Sequence, residues 1–137
     1  MQKIKMEMTL PGITQTVIFT RMMGRTGVPE KESIENISKI GATMAIYLSA
    51  ALADELTKKL LAGGYKEDTP VAICHKVSWP DEKIIITDVI NMTKVVKDNN
   101  LELTTLFLVG DSIGAVGFEK SKLYDKSFET IFRKAKE

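Results

Sequence analysis

The sequence predicts an α/β domain built on a mixed sheet of about five strands flanked by helices. Three observations predict it. Residues 41–50, Gly41-Ala42-Thr43-Met44-Ala45-Ile46-Tyr47-Leu48-Ser49-Ala50, carry no charge in a chain that is 27% charged. The apolar run at 44–48 inside them reads as a buried central strand that emerges at Ser49-Ala50 and turns into a helix. Strand-like and helix-like segments alternate in the order β-α-β-α-β-β-α-β-α, the pattern of an α/β fold. The two consecutive strands, 71–77 and 83–87, flank a short turn and read as a hairpin. Antiparallel pairing there joins parallel pairing of the helix-linked strands, so the sheet is mixed.

Each element has a local reason. Thr16-Val17-Ile18-Phe19-Thr20 is β-branched and aromatic and predicts a strand. Arg21-Met22-Met23-Gly24-Arg25-Thr26-Gly27-Val28-Pro29 is a loop with two glycines and a proline. Residues 30–40 read as a helix. Ile34, Ile37 and Ile40 recur along one face, acidic residues crowd the first turn, and Gly41 suits the end. After the uncharged strand, 52–62 is a second helix with Leu56 and Leu60 on the face of Leu52, closed by Gly63-Gly64. Thr69-Pro70 introduces the hairpin, whose turn is Ser78-Trp79-Pro80-Asp81-Glu82. Residues 88–99 look helical and end at Asn99-Asn100, and 103–109 is a strong strand ending at Gly110-Asp111. Residues 111–126 are irregular. Ser127 is an N-cap for a last helix carrying Phe128, Ile131, Phe132 and Ala135.

Composition bounds the function. A chain of 137 residues, 44% hydrophobic, suffices for one domain with a core. Its net charge of +1 supplies no field favouring nucleic acid or membrane. No apolar run reaches the roughly 18 residues of a membrane span. One cysteine, Cys74, excludes an internal disulfide and a Cys-rich metal site, and a cytoplasmic setting is the expectation.

The chemistry is sparse. Ligands of α/β proteins sit beyond the carboxyl ends of strands, so 48–50, 77–79 and 109–111 are the candidate edges. His75, the one histidine, has no second ligand type around it and reads as a surface or strand-end residue, with no metal. The glycine-rich 110–117 follows a strand but lacks the helix a phosphate loop needs. Arg21 and Arg25 either bind anionic groups or stay solvated. Asp81-Glu82 reads as a solvated pair. Trp79 is either a packing anchor, the preferred reading, or a lid on a planar ligand. No catalytic residue emerges from the residues themselves.

Several blocks in consistent order nevertheless resemble one family. They are Thr16 to Arg21 with Gly24-Arg25-Thr26-Gly27-Val28-Pro29-Glu30, the 41–49 stretch, Leu61-Ala62-Gly63-Gly64-Tyr65 running into Thr69-Pro70-Val71-Ala72, Ser78-Trp79-Pro80-Asp81-Glu82, Leu106-Phe107-Leu108-Val109-Gly110, and Ser121-Lys122-Leu123-Tyr124-Asp125. Together they resemble the C-terminal domain of precorrin-4 C11-methyltransferases, within the tetrapyrrole methylases of cobalamin and sirohaem synthesis. Gly27 stands where that family usually has proline.

The resemblance implies a single α/β domain over residues 1–137, half of a two-domain S-adenosylmethionine-dependent methyltransferase. The N-terminal domain with its Gly-Pro-Gly-Asp-Pro loop has no counterpart here. It implies methyl transfer at C11 of precorrin-4 or cobalt-precorrin-4, with the cofactor folded between domains and any proton-removing base on the other one. Leu48, Val77 with Ser78, and Thr104 or Thr105 are the implied cofactor contacts, and Arg21 and Arg25 the implied contacts to substrate carboxylates. The implied partners are the tetrapyrrole, the missing domain and a second copy in a homodimer, with no nucleic acid or membrane. The fragment alone is expected to be inactive. The competing reading is a non-catalytic interaction module that keeps the fold. One disagreement stands inside this picture: strand-end reasoning selects Gly110, the resemblance Thr104 and Thr105, at opposite ends of one strand.

Overall fold

A computed structural model describes residues 7–22, 26–47, 50–101 and 104–114. The expected last helix, Arg25 and Leu48 lie outside the described residues. Five strands form one sheet: β1 (Val17–Arg21), β2 (Thr43–Tyr47), β3 (Pro70–His75), β4 (Lys83–Asp88) and β5 (Thr105–Val109). Among the described residues three α-helices join them: α1 (Ile34–Ser38), α2 (Ala53–Ala62) and α3 (Met92–Asp98).

The strand order is β1-β2-β5-β3-β4. β1 and β2 pair in parallel, and every other neighbouring pair is antiparallel. The predicted hairpin is β3–β4. Helix-linked strands do run the same way, but β5 enters between β2 and β3 in the opposite sense and keeps them apart. The middle of the sheet is therefore β5, and the uncharged β2 is the interior strand beside it. β2, β3 and β5 are buried along most of their length, whereas β1 and β4, at the two edges, are partly exposed.

The helices are shorter than the periodicity suggests, for local reasons. Residues 30–40 divide at Ser33, whose extended backbone ends a 3-10 turn at Glu30–Glu32. Its hydroxyl accepts the Asn36 N–H at 3.3 Å and caps α1. Ile40 consequently lies past the helix and is exposed. Near residue 88, the Asp88 carboxylate takes the Asn91 N–H at 3.0 Å and its Nδ2 at 2.8 Å. That side-chain turn occupies the place of the first helical turn, so α3 begins only at Met92.

All three helices cover one face of the sheet. Ile34, Leu56, Leu60, Met92 and Val96 pack there against Met44, Ile46, Ile73 and Phe107. On the other face Ala45, Ala72, Cys74 and Leu108 pack with Met8 and Ile113. Burial pushes the Cys74 thiol up to about 11, so it stays protonated and behaves as a small apolar residue.

Gly63, at the end of α2, is needed for space. Its φ is −81°, which any residue adopts. A Cβ there would lie 2.3 Å from Ser38 Cβ and 2.7 Å from the Glu35 carbonyl oxygen of α1. Gly63→Ala would favour helix by propensity, yet it is expected to destabilise by about 1–3 kcal/mol, because the two helix backbones must separate. Urea unfolding of the variant measures this, and an unchanged or raised stability would refute the close-packing account.

Candidate functional site along one sheet edge

The antiparallel entry of β5 decides which strand ends meet. Tyr47, at the end of β2, is in register with Arg21 of β1 and Leu106 of β5. His75, at the end of β3, is in register with Thr105 of β5 and Lys83 of β4. The carboxyl ends of β1, β2 and β3 thus share one edge with the amino ends of β4 and β5. Thr104 and Thr105 lie there, beside His75 and Lys76.

Gly110 lies at the opposite edge, next to Thr43 and Pro70, so the 109–111 candidate does not share the edge of Tyr47 and His75. Its N–H donates to the Pro70 carbonyl at 3.1 Å. Asp111–Gly114 is a 3-10 turn packed onto the sheet, with the Ser112 hydroxyl 2.8 Å from Thr43 Oγ1. Described residues 110–114 therefore form a packed closure, not a phosphate cradle.

The selected edge carries unusual backbone. Lys76, Ser78 and Thr104 have φ of 49°, 73° and 54°. A β-branched threonine in that region is disfavoured by about 1–3 kcal/mol, and such strain clusters at functional sites. It also explains the early strand ends: β3 stops at His75 and β5 starts at Thr105 because the neighbouring residues leave extended geometry. The Lys76 N–H donates to the Thr104 carbonyl at 2.9 Å, locking the two strained segments together.

Beneath this edge, Thr105 Oγ1 donates to the Leu101 carbonyl at 2.7 Å. The same oxygen lies 3.0 Å from His75 Nδ1. A carbonyl only accepts, so the hydroxyl hydrogen points to Leu101 and Nδ1 supplies the hydrogen to Oγ1. His75 is thus the strand-end residue of the expected alternatives, buried and bonded rather than on the surface.

The hairpin turn is braced by its two acids. Lys76 Nζ pairs with Asp81 Oδ2 at 2.6 Å, and the Ser78 N–H donates to Glu82 Oε2 at 2.6 Å. The bond to Lys76 holds the Asp81 carboxyl below its ordinary value. Asp81 is exposed, as a solvated pair would be, and the two acids also brace the turn. Val77, assigned to a strand by its sequence, sits past it and is 44% exposed; Trp79 is 55% exposed and is no core anchor. The Lys76 ammonium lies 5.7 Å from the Trp79 ring centre.

Among the expected substrate contacts, Arg21 donates from Nη1 to the Met22 and Thr26 carbonyls at 3.1 and 3.3 Å, so it braces its own loop. It also lines a groove of about 370 Å³ with Phe19, Tyr47 and residues 27–29 and 32. Sequence reasoning passed over that groove and its aromatic pair. The signal was present in the alternation of each strand: Phe19 and Tyr47 fall out of phase with Ile18, Met44 and Ile46, which face the helices. Among the described residues no cluster of His, Cys, Asp and Glu could hold a metal ion, and no helix is long and apolar enough to cross a membrane.

Comparison with known proteins places this arrangement. The chain is 43% identical over 132 residues to a cobalt-precorrin-4 C(11)-methyltransferase of Methanocaldococcus jannaschii, covering 96% of this chain and 51% of that protein. It is 37% identical over 127 residues to a precorrin-4 C(11)-methyltransferase of Pseudomonas aeruginosa, covering 93% and 50%. The chain therefore spans about half the length of the curated relatives it matches. Among solved structures, a cobalt precorrin-4 methyltransferase described as a cobalamin biosynthetic enzyme superposes with a TM-score of 0.80 at 37% identity, over 83% of this chain and 48% of that one. A uroporphyrin-III C-methyltransferase from Thermus thermophilus, solved with S-adenosyl homocysteine, shares the fold at a TM-score of 0.62 and 14% identity, over 80% and 46%. The family profile described as Tetrapyrrole (Corrin/Porphyrin) Methylases matches residues 2–92. With this match, the shared fold and relatives above 30% identity along nearly the whole chain, the protein belongs to the tetrapyrrole methylase family.

Proposed function

We propose that this chain is one half of an S-adenosylmethionine-dependent methyltransferase acting at C11 of precorrin-4 or cobalt-precorrin-4 in cobalamin biosynthesis. The observation that carries the reading is the 43% identity to a cobalt-precorrin-4 C(11)-methyltransferase along 96% of the chain. In this reading the remaining half is a separate methylase domain. The working assembly is a cytoplasmic homodimer, on the resemblance alone.

The cofactor edge is the one built by β2, β5 and β3, with Leu48, Val77, Ser78, Thr104 and Thr105 as its contacts. Its chemistry fits an adenosyl group. Half-exposed Val77 offers apolar surface to a flat base, and the strained segments bring backbone close to its polar rim. Lys76 is neutralised by Asp81. When bound, S-adenosylmethionine supplies an electrophilic methyl group. The residues of this chain orient it and exclude water, which positioning catalysis requires. His75 serves as a positioning group through Thr105. Arg21 stands beside this edge, and Arg21 and Arg25 are the contacts to substrate carboxylates in this reading.

The test is calorimetric titration of S-adenosylhomocysteine into the chain alone and into the chain mixed with the uncovered half of the Methanocaldococcus jannaschii relative. Weak or no binding is expected alone, and clear binding in the mixture. Trp79 is the only tryptophan of the chain, so its emission should change with that binding in a mixture whose other half lacks tryptophan. Absence of binding in both conditions would overturn the cofactor edge and favour the interaction-module reading.

A further inference from the structure

We propose that His75 reads the exocyclic amino group of the cofactor's adenine directly, through Nε2, an assignment that rests on the methyltransferase reading and deepens it. Thr105 fixes the tautomer. Its hydroxyl hydrogen goes to the Leu101 carbonyl at 2.7 Å, so its oxygen accepts from His75 Nδ1 at 3.0 Å. A neutral imidazole carries one N–H, and here that hydrogen sits on Nδ1. Nε2 is left as a bare lone pair that accepts and cannot donate. Nothing in the described fold uses it. Among the described residues no donor bonds to Nε2, and the one buried side-chain atom left without a partner is Glu35 Oε2. Nε2 is therefore not sealed in the interior. It reaches the surface although His75 as a whole is only 8% exposed. An acceptor with so little access to water is selective, because a ligand that offers it no donor leaves it unpaired.

Position narrows the ligand. His75 ends β3 in register with Thr105, and Val77 and Ser78 follow it in the chain. Backbone groups beside it are already committed. The Thr104 carbonyl takes the Lys76 N–H at 2.9 Å, and the Lys76 carbonyl takes the Trp79 N–H at 2.9 Å. The Ser78 N–H goes to Glu82 Oε2. A donor brought to this edge, against the apolar surface of Val77, therefore finds Nε2 uncommitted. On an adenosyl group that donor is the exocyclic amino group. It lies in the plane of the flat base, as a group read from beside Val77 must. Ribose hydroxyls both donate and accept, so a bare acceptor does not select them. Guanine and hypoxanthine carry an oxygen where adenine carries the amino group, and that oxygen would meet the lone pair of Nε2. His75 thus sets the preference of this edge for adenine.

The experiment compares two ligands by calorimetric titration into the chain complemented with the uncovered half of the Methanocaldococcus jannaschii relative. One is S-adenosylhomocysteine; the other is its purine analogue with hydrogen in place of the amino group. The unsubstituted chain should bind the analogue about tenfold more weakly, as loss of a hydrogen bond to a buried acceptor does. His75→Asn keeps an amide N–H near the place of Nδ1 for Thr105 and removes Nε2. It should bind S-adenosylhomocysteine about tenfold more weakly and no longer distinguish the two ligands. His75→Gln carries an amide oxygen toward the place of Nε2 and should restore part of the preference. A histidine that only supports Thr105 would leave the preference intact in His75→Asn, and that result overturns the proposal. So does equal affinity of the unsubstituted chain for the two ligands. A second readout needs no variant to fold. His75 is the only histidine of the chain, so nitrogen-15 labelling of this half gives one imidazole to follow. S-adenosylhomocysteine should shift the Nε2 signal and the analogue should not; an unmoved Nε2 in the bound state overturns the assignment. If S-adenosylhomocysteine binds without these effects, His75 loses this role and the methyltransferase reading stands. If neither ligand binds, both fall.

Discussion

Replacing Phe107 by alanine is expected to remove about 3–5 kcal/mol of stability, the range for truncating a buried aromatic side chain. Phe107 is fully buried at the centre of β5, which is itself the centre of the sheet. It faces the helices and has Ile46 on one flanking strand and Ile73 on the other. Those neighbours stand on rigid strands and cannot collapse into the gap, so the cavity term adds to the lost transfer term. A domain of this size holds only about 5–15 kcal/mol in total. Urea unfolding followed by circular dichroism measures the change. Ile86→Ala, at an exposed position of β4, should stay within about 0.5 kcal/mol. A loss below about 1 kcal/mol for Phe107→Ala would mean that β5 is not the packed centre of the sheet.

Thr105→Val is expected to cost about 2–4 kcal/mol although it preserves shape. The lost hydroxyl serves the His75 ring nitrogen on one side and the Leu101 carbonyl on the other, and all three residues are buried. Each buried polar group left unpaired costs about 1–3 kcal/mol. Thr105→Ser keeps the hydroxyl and removes one methyl, so about 1 kcal/mol is expected. The functional readout separates a site residue from a merely stabilising one. Thr105→Val should weaken S-adenosylhomocysteine binding by the complemented chain even at temperatures where it is fully folded, and Thr105→Ser should restore it. Equal affinity of all three folded proteins would remove Thr105 from the cofactor edge.

Local chemistry was readable in the chain. The β-branched run at 16–20, the leucines of α2 and the hairpin around Trp79 all describe neighbours in sequence, and each occurs where periodicity puts it. Where element ends were misjudged, a short-range hydrogen bond displaced propensity. Ser33 caps α1 late, and Asp88 winds a turn where α3 was expected to begin. The candidate edge was half legible. Strand-end reasoning selected 48–50, 77–79 and 109–111; Tyr47 and His75, at the ends of β2 and β3, share one edge, and Gly110 lies at the other.

By itself the sequence determined the α/β class, the mixed sheet, the exclusion of a disulfide within these residues and, through ordered blocks from Thr16 to Asp125, the family. Only the tertiary structure decided that β5 runs antiparallel between β2 and β3. That choice moves the candidate edge from Gly110 to Thr104 and Thr105, buries His75 against a threonine thirty residues away, and leaves Phe19 and Tyr47 stacked beside a groove. The physical reason is that hydrophobic period states which face of a strand is buried but not which strand lies next to it or in which sense. Pairing order is settled by which arrangement covers every interior strand on both faces, a property of the whole sheet.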